Sequence, residues 1–247
     1  MVLRSTIWAC LVMVLAGFAS AQRGGATPDV STIISRMKAV RQENSAQSRA
    51  YTVKRNYQLL DKESQPKAQV IANITFMPPD QKQYNIESSS GGMGEKVLRD
   101  ILAKETESPR KAERKEISPE NYDFQLLGSE MLEGRNCYVI SLNPRREEKD
   151  LIRGKMWVDA ATYNIHRIEG HPVKSPSWWI RDLQIVMSFA NVDGMWLHTF
   201  THAVADVRFK GKYVMESRDM EYRTAETTAS RQRRRNPGIL AGAVINP

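Results

Sequence analysis

Residues 151–170, with the sequence LIRGKMWVDAATYNIHRIEG, decide the fold of this chain. Met156 and Val158 alternate with polar or amphipathic residues, and this period of two gives a β-strand one apolar face. A turn follows at residues 160–162, and residues 163–168 alternate in the same way on the return. The stretch therefore predicts a β-hairpin.

The sequence on either side has the same pattern. Residues 128–146 contain a turn at Gly134 followed by an alternating strand. Residues 181–208 repeat this around Asp193-Gly194, a dipeptide typical of tight hairpin turns. Because no helical pattern separates these hairpins, we expect an antiparallel meander.

The N-terminal half contributes further strands and two helices. Residues 51–60, 70–76 and 84–86 alternate as strands, and each has one apolar face. A first helix is predicted with Thr27 as its cap and Pro28 at its first position, because apolar residues follow at helical spacing. A second helix is predicted over residues 95–104. The mixed charges of residues 105–116 predict a solvated linker.

The order of four short motifs resembles a known family. They are GRNCYVI at 134–140, GKMWVD at 154–159, RIEG at 167–170 and DGMWL at 193–197. In this order and spacing they resemble the periplasmic lipoprotein-sorting proteins of the LolA, LolB and RseB type, over roughly residues 121–222. The resemblance implies an α+β fold, in which a highly curved, unclosed antiparallel β-sheet (a half barrel) has two or three helices packed on its concave side.

In that family the curved sheet wraps a hydrophobic cavity that holds acyl chains. The resemblance therefore makes the apolar strand faces a candidate cavity, in which dispersion contacts would hold the chains. The residues assigned to it are Val53, Ile74, Phe76, Tyr84, Ile86, Tyr138, Ile140, Met156, Val158, Ile168 and Val186. The competing interpretation is that these side chains fill an ordinary core between the sheet and its helices.

The N-terminus predicts export. Arg4 precedes a short apolar run at residues 7–18 and a small-residue cleavage site, so residues 1–21 are expected to be a signal peptide. Residues 22–222 are then expected to form one half-barrel domain located in the periplasm, and residues 223–247 are expected to form a basic, disordered tail. A net charge of +8 suits anionic partners, and export argues against nucleic acid.

Three features of the sequence bear on chemistry or on contact with a partner. His198, His202 and Asp206 are spaced by four, which would suit a zinc site on a helix, but in a strand such residues stand roughly 13 Å apart. Cys137, alone after signal removal, is predicted to be a small buried strand residue. Trp178 and Trp179 have two interpretations. Their rings contact a lipid interface or a partner protein, or one of the two rings lies in the core.

The sequence thus predicts a monomeric periplasmic carrier without enzymatic activity, metal or cofactor. Its expected partners are the acyl chains of a lipoprotein or lipid, with a membrane-bound donor or acceptor protein. An RseB-like envelope sensor that binds lipid or protein is the first alternative. A metal-dependent hydrolase that uses His198, His202 or Asp206 is the second.

Overall fold

The structure, a computed structural model, describes residues 28–106 and 115–224. The predicted signal peptide and nearly all of the predicted tail lie outside these ranges. The described elements are α1 (Val30–Ala46), β1 (Tyr51–Asp61), β2 (Pro66–Met77), β3 (Gln81–Ser89), α2 (Met93–Glu105), β4 (Tyr122–Leu132), β5 (Arg135–Pro144), β6 (Ile152–Asp159), β7 (Ile165–Pro172), β8 (Ile180–Val192), β9 (Met195–Val207) and β10 (Gly211–Thr224).

All ten strands of the described ranges form one antiparallel sheet in the order β3-β2-β1-β10-β9-β8-β7-β6-β5-β4. Every neighbouring pair is a sequential hairpin except β1 with β10, which joins the two halves. The edge strands β3 and β4 do not meet, so the sheet stays unclosed. The predicted half barrel with helices on its concave side is confirmed.

The turns follow the predicted chemistry. Asp193 and Gly194 have φ of 50° and 83°, and the β4–β5 turn has φ of 50° at Glu133 and 79° at Gly134. Paired positive φ values of this kind match the twist of the flanking strands, which is why Asn, Asp and Gly favour such positions. The last strand runs to Thr224, two residues past the predicted domain boundary at residue 222, which stays a prediction.

Each helix covers its own part of the sheet. We call the face that carries both helices the inner face and the opposite one the outer face. The α1 cluster contains Ile33, Ile34 and Met37 of the helix packed on Tyr122, Ile140, Leu142, Leu151, Met156, Val158 and Ile168. The α2 cluster contains Leu98 and Leu102 of the helix packed on Val53, Tyr57, Ala68, Val70, Ala72 and Ile74.

Two details of the helices differ from the prediction. Asp29 caps α1, since its carboxylate accepts a hydrogen bond from the Thr32 amide at 2.9 Å, so Pro28 precedes the cap instead of opening the helix. Glu105 is the last residue of α2 and joins a buried ion cluster, whereas the sequence predicted that it begins a solvated linker.

The outer face has a small core of its own. Cys137 is fully buried there with Val139 and Trp157, and its thiol is free. Burial, with the nearby Asp159 carboxylate, raises the pKa of the Cys137 thiol, which keeps it protonated and unreactive. The prediction of a small buried strand residue is confirmed. Among the described residues, neither helix combines the length and the apolar character that crossing a membrane requires.

Candidate ligand groove on the inner face

All of the residues assigned from the sequence except Val186 fall into two separate groups on the inner face. Val53 and Ile74 lie within the α2 cluster, next to Phe76, Tyr84 and Ile86. The second group lies within or against the α1 cluster and consists of Tyr138, Ile140, Met156, Val158 and Ile168. In the second group every residue except Tyr138 is buried, whereas in the first group only Val53 and Ile74 are buried and Tyr84 is 40% exposed. As an acyl-binding surface they remain a prediction, and the described structure uses them chiefly as core.

Val186 is placed differently from the prediction. It pairs with Glu169 on β7 and with His202 on β9, whereas its neighbour Met187 pairs with Ile168 and faces the α1 cluster. Val186 therefore lies on the outer face. The alternation of β8 was assigned one residue out of step, and in a strand a shift of one residue moves a side chain to the opposite face.

The strands between the two helices carry an apolar surface that the sequence did not assign. The α1 cluster covers the inner face of β4–β7, and the α2 cluster covers that of β1 and β2, which leaves the inner face of β8, β9 and β10 between them. Six side chains line this strip: Leu183 and Ile185 on β8, Ala203 and Ala205 on β9, and Tyr213 and Met215 on β10. All except Ala203 are partly exposed.

The register of these residues gives the strip the form of a groove. Ala205 pairs with Leu183 on one side and Tyr213 on the other, and Ala203 pairs in the same way with Ile185 and Met215. Methyl groups thus form the floor and larger side chains form the walls. The walls stand two strand spacings apart, about 10 Å between their backbones. We call these six residues the alanine groove.

The groove becomes polar beyond the row formed by Ile185, Ala203 and Met215. The next row across the sheet joins Met187, Thr201 and Ser217, and beyond it a bulge in β9 pairs His198 with Phe189 on the inner face. His198 Nε2 lies 2.8 Å from the Thr201 hydroxyl. A chain lying in the groove would therefore contact apolar atoms at one end and hydrogen-bonding groups at the other.

Beside this polar end lies a buried ion cluster. The Arg55 guanidinium pairs with the Asp219 carboxylate and with Glu105 of α2, and it also donates to the His198 carbonyl oxygen at 3.2 Å. The Tyr57 hydroxyl donates to Glu105 at 2.6 Å. The cluster fixes the C-terminal end of α2 to β1, β9 and β10.

The pKa values in this cluster follow from burial and charge. Burial opposes the charged form of Glu105, but the nearby Arg55 and the Tyr57 hydrogen bond outweigh it and lower the pKa of Glu105. Burial, together with repulsion from Arg55, lowers the pKa of His198 to about 4. Burial, with the Glu105 charge, raises the pKa of Tyr57. At neutral pH the ion pairs are therefore formed, while His198 and Tyr57 are neutral.

The structure separates the three residues of the zinc hypothesis. His198 faces inward because of the β9 bulge, whereas His202 faces outward and lies 3.0 Å from Glu216. Asp206 pairs in register with Lys212 on the same outer side as His202. Residues 28–106 and 115–224 contain no group of three or more His, Cys, Asp or Glu side chains placed to hold a metal ion.

A second concavity lies away from the groove. A cleft of about 510 Å³ separates α1 from residues 116–121. Its rim is charged, but Arg41 is paired there with Glu116 and donates to the Ile117 carbonyl oxygen, and Arg146 donates to Asn121. Because charged side chains, including Lys38 and Glu120, line it, the cleft is a poorer candidate than the groove for an apolar ligand.

Sequence alternation could have located the groove walls. Leu183, Ile185, Met187 and Phe189 recur at every second position of β8. The alanine floor gives no such signal, because an alanine in a strand looks the same whether it underlies a groove or a packed core. The ion cluster was equally hidden, since Arg55, Glu105 and Asp219 are distant in sequence.

A protein-family model described as "Uncharacterized protein" matches residues 113–229, less than half of the chain. No curated protein sequence matches the chain.

Three solved structures illustrate the structural similarity. A DUF1329 family protein from Desulfovibrio piger aligns with a TM-score of 0.43 at 12% identity, over 81% of this chain and 94% of its own. An outer membrane lipoprotein-sorting protein domain from Vibrio parahaemolyticus aligns with a TM-score of 0.39 at 15% identity, over 76% and 91%. A LolA superfamily protein from Nitrosomonas europaea aligns with a TM-score of 0.38 at 14% identity, over 80% and 94%. The latter two belong to the group that the hairpin motifs resemble, and at these TM-scores no function is inferred from the similarity.

Proposed function

We propose that this protein is a periplasmic carrier that binds the acyl chains of a lipid or lipoprotein in the alanine groove and moves them between membranes. The observation that supports the proposal is the groove itself, an apolar strip left partly exposed between two helix-covered clusters. Exposed apolar surface of this kind is usually a binding site in a soluble protein.

The chemistry of the groove suits an acyl chain. Alanine, leucine, isoleucine and methionine side chains offer dispersion contacts without directional hydrogen bonds. Burying a chain stabilises the complex by about 0.8 kcal/mol per CH₂ group, so affinity should rise with chain length. The neutral His198 and the Thr201 hydroxyl lie beyond one end, where a polar head group would meet hydrogen-bonding partners.

The test uses a variant that fills the groove. Ala205→Phe places a ring on the floor, whereas Val204→Phe places the same ring on the outer face of the same strand as the control. Ile140 and Val158 are unsuitable targets because both are fully buried beneath α1. Native mass spectrometry of protein purified from periplasm without detergent, together with uptake of a fluorescent fatty acid, measures occupancy.

We expect the wild type and Val204→Phe to carry an acyl-lipid adduct and to take up the fatty acid, and Ala205→Phe to do neither while keeping its circular dichroism spectrum. A wild type without adduct or uptake would refute the proposal. Delivery of the labelled chain to acceptor vesicles distinguishes the carrier from a sensing module of the RseB kind, which would bind the chain and retain it.

A further inference from the structure

Exposed aromatic side chains cluster at one end of the sheet, outside the groove. Trp178 is 78% exposed, Phe209 is 92% exposed and Trp179 is 38% exposed. Phe209 also has a φ of 65°, a conformation that a bulky side chain seldom adopts. We call these three residues the aromatic edge. Large rings held out in solvent lose the burial that normally stabilises them, so their position calls for a contact partner.

The two loops that carry the aromatic edge are joined by hydrogen bonds. Strand β8 starts at Ile180, which pairs with Val207 at the end of β9. The Arg208 amide donates to the Trp179 carbonyl oxygen at 2.8 Å. The Ser175 hydroxyl lies 2.8 Å from the Ile180 carbonyl oxygen and holds the first loop in place. The two loops therefore lie at the same end of the sheet and are held together by hydrogen bonds.

The loops that carry these rings also carry basic residues. The exposed basic residues of the two loops and the adjoining strand starts are Arg181, Arg208, Lys210 and Lys212. None of them forms an ion pair with any residue in the described ranges. Two carboxylates, Asp182 and Asp206, form the next pair along β8 and β9 after Ile180 and Val207. Asp206 is also in register with Lys212. The outermost rim thus combines exposed rings with unpaired positive charge.

We propose that the aromatic edge is a docking surface for a bilayer rich in anionic lipid. Tryptophan and phenylalanine rings insert at the boundary between head groups and acyl chains, and nearby lysine and arginine residues bind the negative surface. The positive charge of the rim favours an anionic bilayer over a neutral bilayer. Lysine and arginine side chains without protein partners gain the most electrostatic attraction from anionic head groups.

The edge and the alanine groove adjoin each other. Leu183, Ala205 and Tyr213 form the row of the groove nearest the edge, each within three residues of a strand terminus there. Docking would place the apolar end of the groove next to the membrane. The docking proposal goes beyond the carrier function and stands without it, because it depends on the aromatic edge alone.

The test is sedimentation of the full chain with protein-free vesicles of phosphatidylethanolamine and phosphatidylglycerol, compared with vesicles of neutral phosphatidylcholine. We expect binding to the anionic vesicles that weakens with added salt. Trp178→Ser with Phe209→Ser should reduce binding at least tenfold. Arg208→Gln, Lys210→Gln and Lys212→Gln together should reduce it about 100-fold, at about 1 kcal/mol per charge. The matched control is Met131→Ser, which removes a side chain that is 66% exposed at the opposite end of the sheet.

Several results would overturn the proposal. These are failure of the wild type to bind protein-free anionic vesicles, equal binding to neutral vesicles, and an equal loss of binding in Met131→Ser. Capture by vesicles that contain membrane proteins but not by lipid alone would make the edge a protein interface instead. The Ala205→Phe variant should dock like the wild type, so a failure of the carrier proposal and a failure of the docking proposal can be told apart.

Discussion

Arg55 and Asp219 form a buried ion pair that joins β1 to β10, the first and last strands along the chain. Their side chains are only 5% and 4% exposed. The pair closes the junction between β1 and β10, at which the two halves of the chain meet. It lies on the inner face beside the polar end of the groove, and Glu105 ties it to α2.

Breaking this pair should destabilise the protein strongly. Arg55→Met leaves the Asp219 and Glu105 charges without their partner in a buried site, and we expect a loss of about 3–5 kcal/mol in the free energy of unfolding. The exposed pair of Lys54 and Glu87 is the control, and Lys54→Met should cost less than about 1 kcal/mol. Urea denaturation measures both, and similar costs for the two variants would contradict the role given to Arg55.

Stability should decrease as the pH falls from about 6.5 toward about 4, partly because of His198. The folded pKa of His198 is about 4, below its ordinary 6.5, so in this window the unfolded chain binds a proton that the folded chain does not. His198→Gln should reduce the difference in unfolding free energy between about pH 7 and about pH 5. It should not abolish the difference, because burial and the charge of Arg135 also lower the pKa of His166. An unchanged difference would mean that His198 is not buried as described.

Gly154 and Gly170 should tolerate no side chain. They face each other across β6 and β7, and a Cβ atom on Gly154 would overlap the Glu169 carbonyl oxygen. We expect Gly154→Ala to lower the free energy of unfolding by about 2 kcal/mol or more, as overpacking does elsewhere. Lys155→Ala, at the exposed neighbouring position, is the control, and an equal effect of the two substitutions would refute the close approach.

The purified protein should contain no stoichiometric zinc. His198 and His202 lie on opposite faces of β9, so they cannot share a metal ion. Elemental analysis of protein prepared without chelators tests this. About one zinc per chain, lost in His198→Gln, would support the hydrolase alternative.

The sequence could predict most of the fold because strand alternation, turn glycines and helical spacing are local signals. The hairpin of residues 151–170, the Asp193-Gly194 turn and the apolar stripes of both helices all appear in the structure. Bulges limited the prediction. Those in β7 and β9 shift the alternation by one residue, and no local pattern marks where they occur. The apolar faces were predicted well except in β8, where Val186 was assigned to the wrong face, and the division of these faces into core and open groove was not predicted.

The sequence by itself determined the sheet, its sequential hairpins and the two helices, because these depend on neighbouring residues. The tertiary structure decided which part of the inner face each helix covers, and hence that Ile140 and Val158 are core while Leu183 and Ile185 line a groove. It also brought Arg55, Glu105 and Asp219 together, and joined the loop of Trp179 to the loop of Phe209 through a backbone hydrogen bond. Which strands a helix covers, and which distant residues meet, depend on the curvature of the whole sheet and on the pairing of β1 with β10. Residues far apart in sequence contribute to both.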